Sequence, residues 1–317
     1  MKIISWNVNG IRSNIVDSNT SAYKKPRILQ EGSPLHRIIE LYDPDVICFQ
    51  ETRLGPDLYK LFESESIKSH FPYQYWSSSK GEKSRAGNRY SGTAVWSKIE
   101  ANSVIYDIPK LNDQEGRFIQ VNFPNAIVIT TYTPNTGSNW NYRLDTWEPA
   151  IRDYLRGLSS YSSIPVIYCG DNNIANKEDI WFGDCLEYRM QSEEEPVKKR
   201  ELQKKIASKK TFHDGTTVLC GYSKAERDAF KRLLKECKLV DCFRLKNKDI
   251  VDQFTWFNIR IPKSFENNIG WLIDRFLIQN SKKDCVTDCK ILSEIGIRNE
   301  KGTFVSDHIP IYLEITN

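Results

Sequence analysis

Short apolar runs rich in β-branched and aromatic residues recur along the chain, separated by polar breaks. They cover Ile3–Trp6, Asp45–Phe49, Gly92–Trp96, Phe118–Phe123, Ala126–Tyr132, Pro165–Cys169, Gln253–Phe257, Leu272–Ile278 and Ile309–Ile315. Their length and composition predict strands rather than helices. Between them lie helical signals. Ser33-Pro34 places an N-cap before a proline at the first helical position and predicts a helix through Tyr42. Trp147–Leu158 is apolar at helical spacing. Ser223–Cys237 opens with a capping box, Glu226 standing three residues after Ser223, and Phe230, Leu233 and Leu234 form its apolar stripe. The mixture predicts an α/β protein with two sheets packed face to face and helices outside. No linker rich in Gly, Ser or Pro divides the chain, so residues 1–317 are expected to form one domain. Two stretches read as insertions, near residues 14–32 and 184–212.

Polar residues recur where the runs end. Ile3–Trp6 leads into Asn7, Asp45–Gln50 into Glu51, Ala126–Thr131 into Tyr132-Thr133-Pro134-Asn135, and Pro165–Gly170 into Asp171-Asn172-Asn173. Asp307-His308 directly precedes Ile309–Ile315. A strand fixes the side chain at its end and leaves it open to solvent, so several such ends at one rim make a preorganised polar site. Glu51, Asp171 and Asp307 offer hard oxygen ligands. With Asn7 and Asn173 beside them they suit Mg²⁺, or Mn²⁺, rather than zinc. Such an ion polarises a phosphorus centre and stabilises a departing oxygen. His308 can hold a proton toward a phosphate if a carboxylate such as Asp274 orients it. Tyr132 and Asn135 add donors for developing negative charge. Each residue alone has a plainer reading: Glu51 as a solvent-facing strand end, Asn7, Asp171 and Asn173 as turn formers, Trp256 and Trp271 as packing. Asp274 is either an outward-facing strand residue or a buried, paired carboxylate. A single site accounts for all the strand-end positions together.

Composition narrows this picture modestly. The chain is 39% hydrophobic and 12% aromatic, enough for a large core. A net charge of +4 weakly favours a polyanionic partner. The eight Cys include no C-x-x-C pair, and with four His they give no zinc spacing. Cys48 and Cys169 sit inside apolar runs and read as small buried residues, which fits a reducing intracellular compartment. Met1–Trp6 reads as a strand rather than a signal peptide, and no run approaches the roughly 20 apolar residues of a membrane span. A soluble protein that is not secreted is therefore expected.

Trp6-Asn7-Val8-Asn9-Gly10-Ile11-Arg12 resembles the WNxNGxR opening of the exonuclease III-like apurinic/apyrimidinic (AP) endonucleases. Gln50-Glu51-Thr52-Arg53 resembles their QET plus a basic residue. Tyr90-Ser91-Gly92 and Glu115-Gly116-Arg117 match YSG and EGR, and Tyr132–Asn135 resembles YxPN. Gly170–Ala175 resembles GDxNxA, Gly270–Asp274 GWRxD and Ser306–Pro310 SDHxP. The motifs run in family order from residue 6 to residue 310. Glu51, GDxN and SDH are shared with the wider endonuclease/exonuclease/phosphatase superfamily, whereas NGxR, YSG, EGR and Trp271–Asp274 are narrower.

The resemblance implies a four-layer α/β sandwich of two packed mixed β-sheets flanked by helices. It implies Mg²⁺-dependent cutting of DNA 5′ to an abasic site, leaving a 3′-hydroxyl, with 3′→5′ exonuclease or 3′-phosphodiesterase activity beside it. Glu51 would be the principal metal ligand, with Asn7 and Asp307 nearby. Asp171, helped by Asn173, would activate water. His308, paired with Asp274, would contact the scissile phosphate, and Tyr132 and Asn135 would stabilise oxygens. Asn9, Arg12, Arg53, Asn135, Trp140, Trp256 and Trp271 would face phosphate or DNA, with Trp271 and Trp256 forming the pocket for a base-free sugar. The implied partner is double-stranded DNA with abasic sites or damaged 3′ ends, bound by a monomer in the cytoplasm or nucleus. Three departures stand out: Arg53 replaces Lys, Leu272 replaces the Arg of GWRxD, and Ser138-Asn139-Trp140 replaces a basic loop. The alternatives are an enzyme that is chiefly a 3′→5′ exonuclease, or a cousin such as a deadenylase, a nonspecific nuclease or a phosphatase. A binding protein on a degenerate version of the fold is disfavoured, because the metal and phosphate residues are all present. The segment Glu193–Lys210 places acidic residues before basic ones, as suits a solvated helix and its macrodipole; a DNA-facing basic arm is the other reading.

Overall fold

The computed structural model describes residues 1–14, 26–80, 89–137, 139–181, 194–208, 220–298, 302 and 304–316. Most of the insertion expected near residues 14–32, and much of that near 184–212, lies outside them. The strands, in chain order, are β1 (Lys2–Asn7), β2 (Val46–Gln50), β3 (Tyr73–Ser77), β4 (Thr93–Ser97), β5 (Ser103–Ile105), β6 (Phe118–Asn122) and β7 (Ile127–Tyr132). They continue as β8 (Val166–Asp171), β9 (Leu239–Asp241), β10 (Trp256–Phe257), β11 (Gly270–Trp271), β12 (Asp274–Gln279), β13 (Val286–Ile291) and β14 (Ile311–Ile315). One six-stranded sheet has the order β13-β14-β1-β2-β4-β3, and the other β5-β6-β7-β8-β12-β9. Each sheet is mixed, with one parallel pair, β1 with β2 and β7 with β8.

Side-chain alternation explains the layers, because successive residues of a strand face opposite sides of its sheet. Ile3, Val46, Cys48 and Val95 face the second sheet, and Ile119, Val121, Val128, Ile167, Cys169, Phe276 and Ile278 answer them in one buried cluster. The alternate residues Ile4, Trp6, Ile47, Phe49, Ala94 and Trp96 face outward, under Leu35, Ile38 and Ile39 of the helix Pro34–Tyr42. On the far side, Phe118, Ile129, Val166, Tyr168 and Leu277 pack beneath Trp147, Ile151 and Leu155, and beneath Phe230 and Leu233. Each fully buried large apolar side chain contributes roughly 1.5–3 kcal/mol. Strands buried on both faces read as continuous apolar runs, which is why the central strands stood out in the sequence.

The expected helices form with their expected caps. Ser33 Oγ accepts from His36 N at 3.3 Å, and the Ser223–Glu226 capping box is closed in both directions. The run Trp147–Leu158 becomes a helix from Glu148 to Tyr161, preceded by a wider π-type turn, Tyr142–Trp147. Two expected strands change. Gln253–Phe257 shortens to β10, and Leu272–Ile278 breaks. Gly270-Trp271 pairs with β10, Leu272 N–H donates to Asp179 O at 2.7 Å, and only Asp274 onward joins the second sheet. This break carries Trp271 and Asp274 to the rim from one short segment.

Candidate active site

Both parallel pairs bring their carboxyl ends to one edge of the sandwich. Asn7 stands opposite Gln50, and Tyr132 opposite Asp171. β12 starts at the same edge, with Asp274 opposite Asp171. The chain then turns sharply: Asn9, Glu51, Arg53 and Asn173 all have left-handed φ, between 46° and 51°. For Glu51 and Arg53 that conformation costs energy and persists only because neighbours hold it. Thr52 N–H donates to Gly92 O at 3.0 Å, Arg53 N–H to Ser91 O at 2.8 Å, and Gly92 N–H to Glu115 O at 3.1 Å. The YSG and EGR segments thus brace the turn that carries Glu51. Gly170 shows why a glycine must precede Asp171. Its φ is +127°, and a Cβ there would lie 2.1 Å from Thr131 O.

Asn7 links the two sheets. Its Nδ2 donates to Glu51 Oε1 at 3.0 Å and to Asp171 Oδ2 at 2.9 Å, and its Oδ1 accepts from Asn9 N–H at 3.1 Å. Its amide oxygen thus accepts one hydrogen bond and keeps a second lone pair. Asp171 Oδ1 accepts from Asn173 N–H at 2.8 Å. Asn173 Nδ2 donates to Thr133 O at 2.8 Å, and Asn135 Nδ2 to Asn173 Oδ1 at 3.3 Å, which joins the YTPN turn to the GDNN turn. His308 Nδ1 lies 2.8 Å from Asp274 Oδ2 and its Nε2 lies 3.8 Å from Asp171 Oδ2. Asp274 is buried and paired, which decides between its two readings. Asp307 accepts from Asn9 Nδ2 at 2.8 Å and from the Trp256 indole at 3.1 Å.

These contacts set three different protonation states. Burial alone would lower the His308 imidazole, but Asp274 beside it outweighs burial and pushes it up to about 10. Burial pushes the Asp171 carboxyl up to about 7, aided by Asp274 and Glu51 and opposed by His308. Burial also raises Glu51, yet Arg53, the Asn7 amide and His308 together hold it below the usual carboxylate range. The Tyr132 phenol is pushed well above its ordinary range by burial and by Glu51. The Arg117 guanidinium lies 4.5 Å over its ring. The rim thus holds a proton donor, a carboxylate near neutrality and a fixed anion, a set suited to acid–base work on a phosphate.

Among the described residues, Asp171, Asp274 and His308 place ligand atoms within 4.8 Å of one another. Asp274 Oδ1 is buried without a hydrogen-bond partner. Glu51 and Asp307 are half-buried beside this group. Such an oxygen-rich anionic donor set fits a hard divalent cation. Asp307 takes one hydrogen bond on each oxygen, from Asn9 and from Trp256, and Asn7 ties Glu51 to Asp171.

An apolar wall stands beside the carboxylates. Trp271 packs with Ala175, Ile180, Tyr222 and Ile273, and Trp256 lies against them with its ring 5.7 Å from that of Trp271. Tyr222 and Ile273 were missed as wall residues, although Cys220-Gly221-Tyr222 resembles the family's AGF segment and Ile273 lies inside the Gly270–Asp274 motif. Arg53 is exposed and hydrogen-bonded to Glu51. Arg12 and Trp140 stand on flanking helical turns, Arg12 close to Arg27 and Trp140 half-buried.

Arg143 was also missed. Its buried guanidinium donates to Glu148 Oε1 at 2.7 Å, Pro134 O at 2.7 Å and Asn172 O at 3.1 Å. It clamps the two turns that carry Asn135 and Asn173. A lone arginine before an apolar helix gives no sequence sign of this.

The sequence matches the profile of the endonuclease/exonuclease/phosphatase family over residues 4–308. It is 32% identical over 326 aligned residues to an exodeoxyribonuclease of Bacillus subtilis (strain 168), covering 99% of each chain. It is 29% identical to the DNA repair nuclease APEX1 of Danio rerio, covering 99% of this chain and 81% of that one. Among solved structures, a 3′-5′ exonuclease (NExo) from Neisseria meningitidis superposes with a TM-score of 0.70 at 20% identity, covering 100% of both chains. At that identity the superposition speaks for the fold, the four-layer sandwich described above.

Proposed function

Because this chain belongs to the endonuclease/exonuclease/phosphatase family, we propose that it is a DNA repair nuclease that hydrolyses the phosphodiester 5′ to an abasic site. One catalytic domain carries the reaction, and the product ends in a 3′-hydroxyl. The observation that carries this reading is the hydrogen-bonded centre itself: Asn7 tying Glu51 to Asp171, with the His308–Asp274 pair alongside.

Mg²⁺ is the cation we assign, held chiefly by the carboxylate oxygens of Glu51 and its neighbours, with Mn²⁺ as the alternative. When bound, it supplies charge for the phosphoryl and leaving oxygens. The protein's own groups do the rest. Asp171, its Oδ1 fixed by Asn173 N–H, accepts a proton from the attacking water. His308 stays protonated against Asp274 and donates to a phosphate oxygen. Tyr132 and the Asn135 amide supply further donors where charge develops. Trp271, Tyr222, Ile273 and Trp256 form an apolar wall against which a sugar without its base can lie. An abasic sugar costs less to unstack than an intact nucleotide, which favours it as substrate. Duplex DNA with abasic sites or damaged 3′ ends is the substrate that fits, taken up by a monomer inside the cell. Among the described residues no helix is long and apolar enough to cross a membrane.

A second reading shifts the balance toward 3′→5′ exonuclease or 3′-end cleaning. Leu272 is buried and uncharged where the resemblance leads one to expect Arg. A gel assay on 5′-labelled abasic, nicked and blunt duplexes, with Mg²⁺ or chelator, separates the two. Metal-dependent incision chiefly at the abasic site is expected. Shortening of blunt or nicked ends with an uncut abasic strand would establish the second reading, and turnover of poly(A) or a phosphoinositide with inert DNA would overturn both.

A further inference from the structure

The helix Pro196–Ser208 (PVKKRELQKKIAS) carries Lys198, Lys199, Arg200, Lys204 and Lys205 against a single acidic residue, Glu201. Val197, Lys198, Arg200, Glu201, Gln203 and Lys204 are all exposed. Val197 is 61% exposed although apolar. Thirteen helical residues alone are marginal in water. Lys198 pairs with Glu195 at 2.6 Å, which adds only about 0.2–0.5 kcal/mol at such spacing.

The position of the segment is as telling as its charge. Before it, Ile180 bridges to Trp271, and Trp181 N–H donates to Gly270 O at 2.9 Å. After it, Ala175 N–H donates to Gly221 O at 2.8 Å, and Gly221 lies against Asn173 O and the Trp271 ring. Trp181 and Gly221, on either side of the stretch that contains the basic helix, thus both stand at the wall of the site.

We propose that this helix is an arm that grips the sugar–phosphate backbone of the duplex next to the bond being cut. The inference rests on the duplex substrate proposed above. Charge complementarity favours phosphate as the occupant. The helix carries no aromatic residue to stack on a base, and lysines act on phosphates as point charges without reading sequence. The arm strengthens binding evenly across sequences and leaves the chemistry unchanged.

The test replaces Lys198, Lys199, Arg200 and Lys204 together by Gln, which keeps helix propensity and removes charge. Binding to an uncut abasic duplex is measured by fluorescence anisotropy in EDTA across a salt series, beside kcat in Mg²⁺ and the melting temperature. Affinity at low salt is expected to fall on the order of tenfold, and the salt slope to shrink by about 2–3, at roughly 0.9 per phosphate contact. Saturated kcat and melting temperature stay at the wild-type values. Unchanged affinity and slope would overturn the arm. So would a lower melting temperature with unchanged affinity, because the helix would then be pairing with acidic residues of its own chain. A wild-type protein that binds duplex with this salt dependence but cuts no abasic DNA removes the functional reading and leaves the arm standing.

Discussion

Asp171, His308 and Glu51 differ in protonation because of their neighbours, although all three stand at one rim. Asp171 is the most costly. Its folded pKa of about 7 exceeds the ordinary carboxylate value near 3.9, so its ionised form destabilises the fold increasingly as pH rises through that interval. Asp171→Asn removes that burden. It should lower kcat by at least ~100-fold while leaving the melting temperature at pH 8 unchanged or higher. Steady-state kinetics and a thermal melt of the same preparation check both halves; a variant that is active, or inactive only because it melts earlier, contradicts the role. These residues were legible in sequence because each ends or precedes an apolar run. Asp274 was not decidable there, since a lone Asp within a run looks the same whether it faces solvent or a buried imidazole. Only the break after Trp271 turns it inward.

At the scale of elements, buried ion pairs hold the turns that carry the site. Arg143 and Glu148 are both buried, and the guanidinium fork spans carbonyls of two turns. Arg143→Met leaves Glu148 without its partner, a loss of about 3–5 kcal/mol. A depressed melting temperature and a fall in kcat are expected together, with Arg143→Lys intermediate because it keeps charge without the fork. A variant with unchanged melting temperature and kcat would remove the clamp from the mechanism.

Asp179 forms a second such centre, 2.6 Å from both Arg275 and Arg244, while Arg275 also reaches Asp241 at 2.7 Å. Burial raises the Asp179 carboxyl, but the two arginines outweigh it and hold it below the ordinary range. Its contribution to stability is therefore complete above the unfolded value near 3.9 and is lost as pH falls through the folded one. Denaturant unfolding of Asp179→Asn should show reduced stability at pH 7 and a shallower loss toward pH 3 than the wild type. Equal slopes on acidification would argue against this pair. The Asp179 centre was not visible in sequence, because its charges, 34 to 96 residues apart, meet only after folding. Edge strands escaped for another reason. β3, β5, β9 and β13 are short or carry polar residues on the open side, so their alternation is weak, as edge strands commonly are.

The whole molecule follows from two mixed sheets sharing one core. The face-to-face sandwich could be read from buried runs alone, as could the convergence of polar strand ends. The meeting of the sheets at Asn7 could not, because it depends on which edges coincide. Glu51 follows a strand of one sheet and Asp171 closes a strand of the other, and a single amide spans them. The most direct test is incision of an abasic duplex by Glu51→Gln, Asp171→Asn and the double variant under saturating Mg²⁺. Groups that act as one unit lose activity non-additively, so the double variant should be no slower than the worse single one within about tenfold. Losses that multiply, or full activity in either single variant, would contradict one shared site.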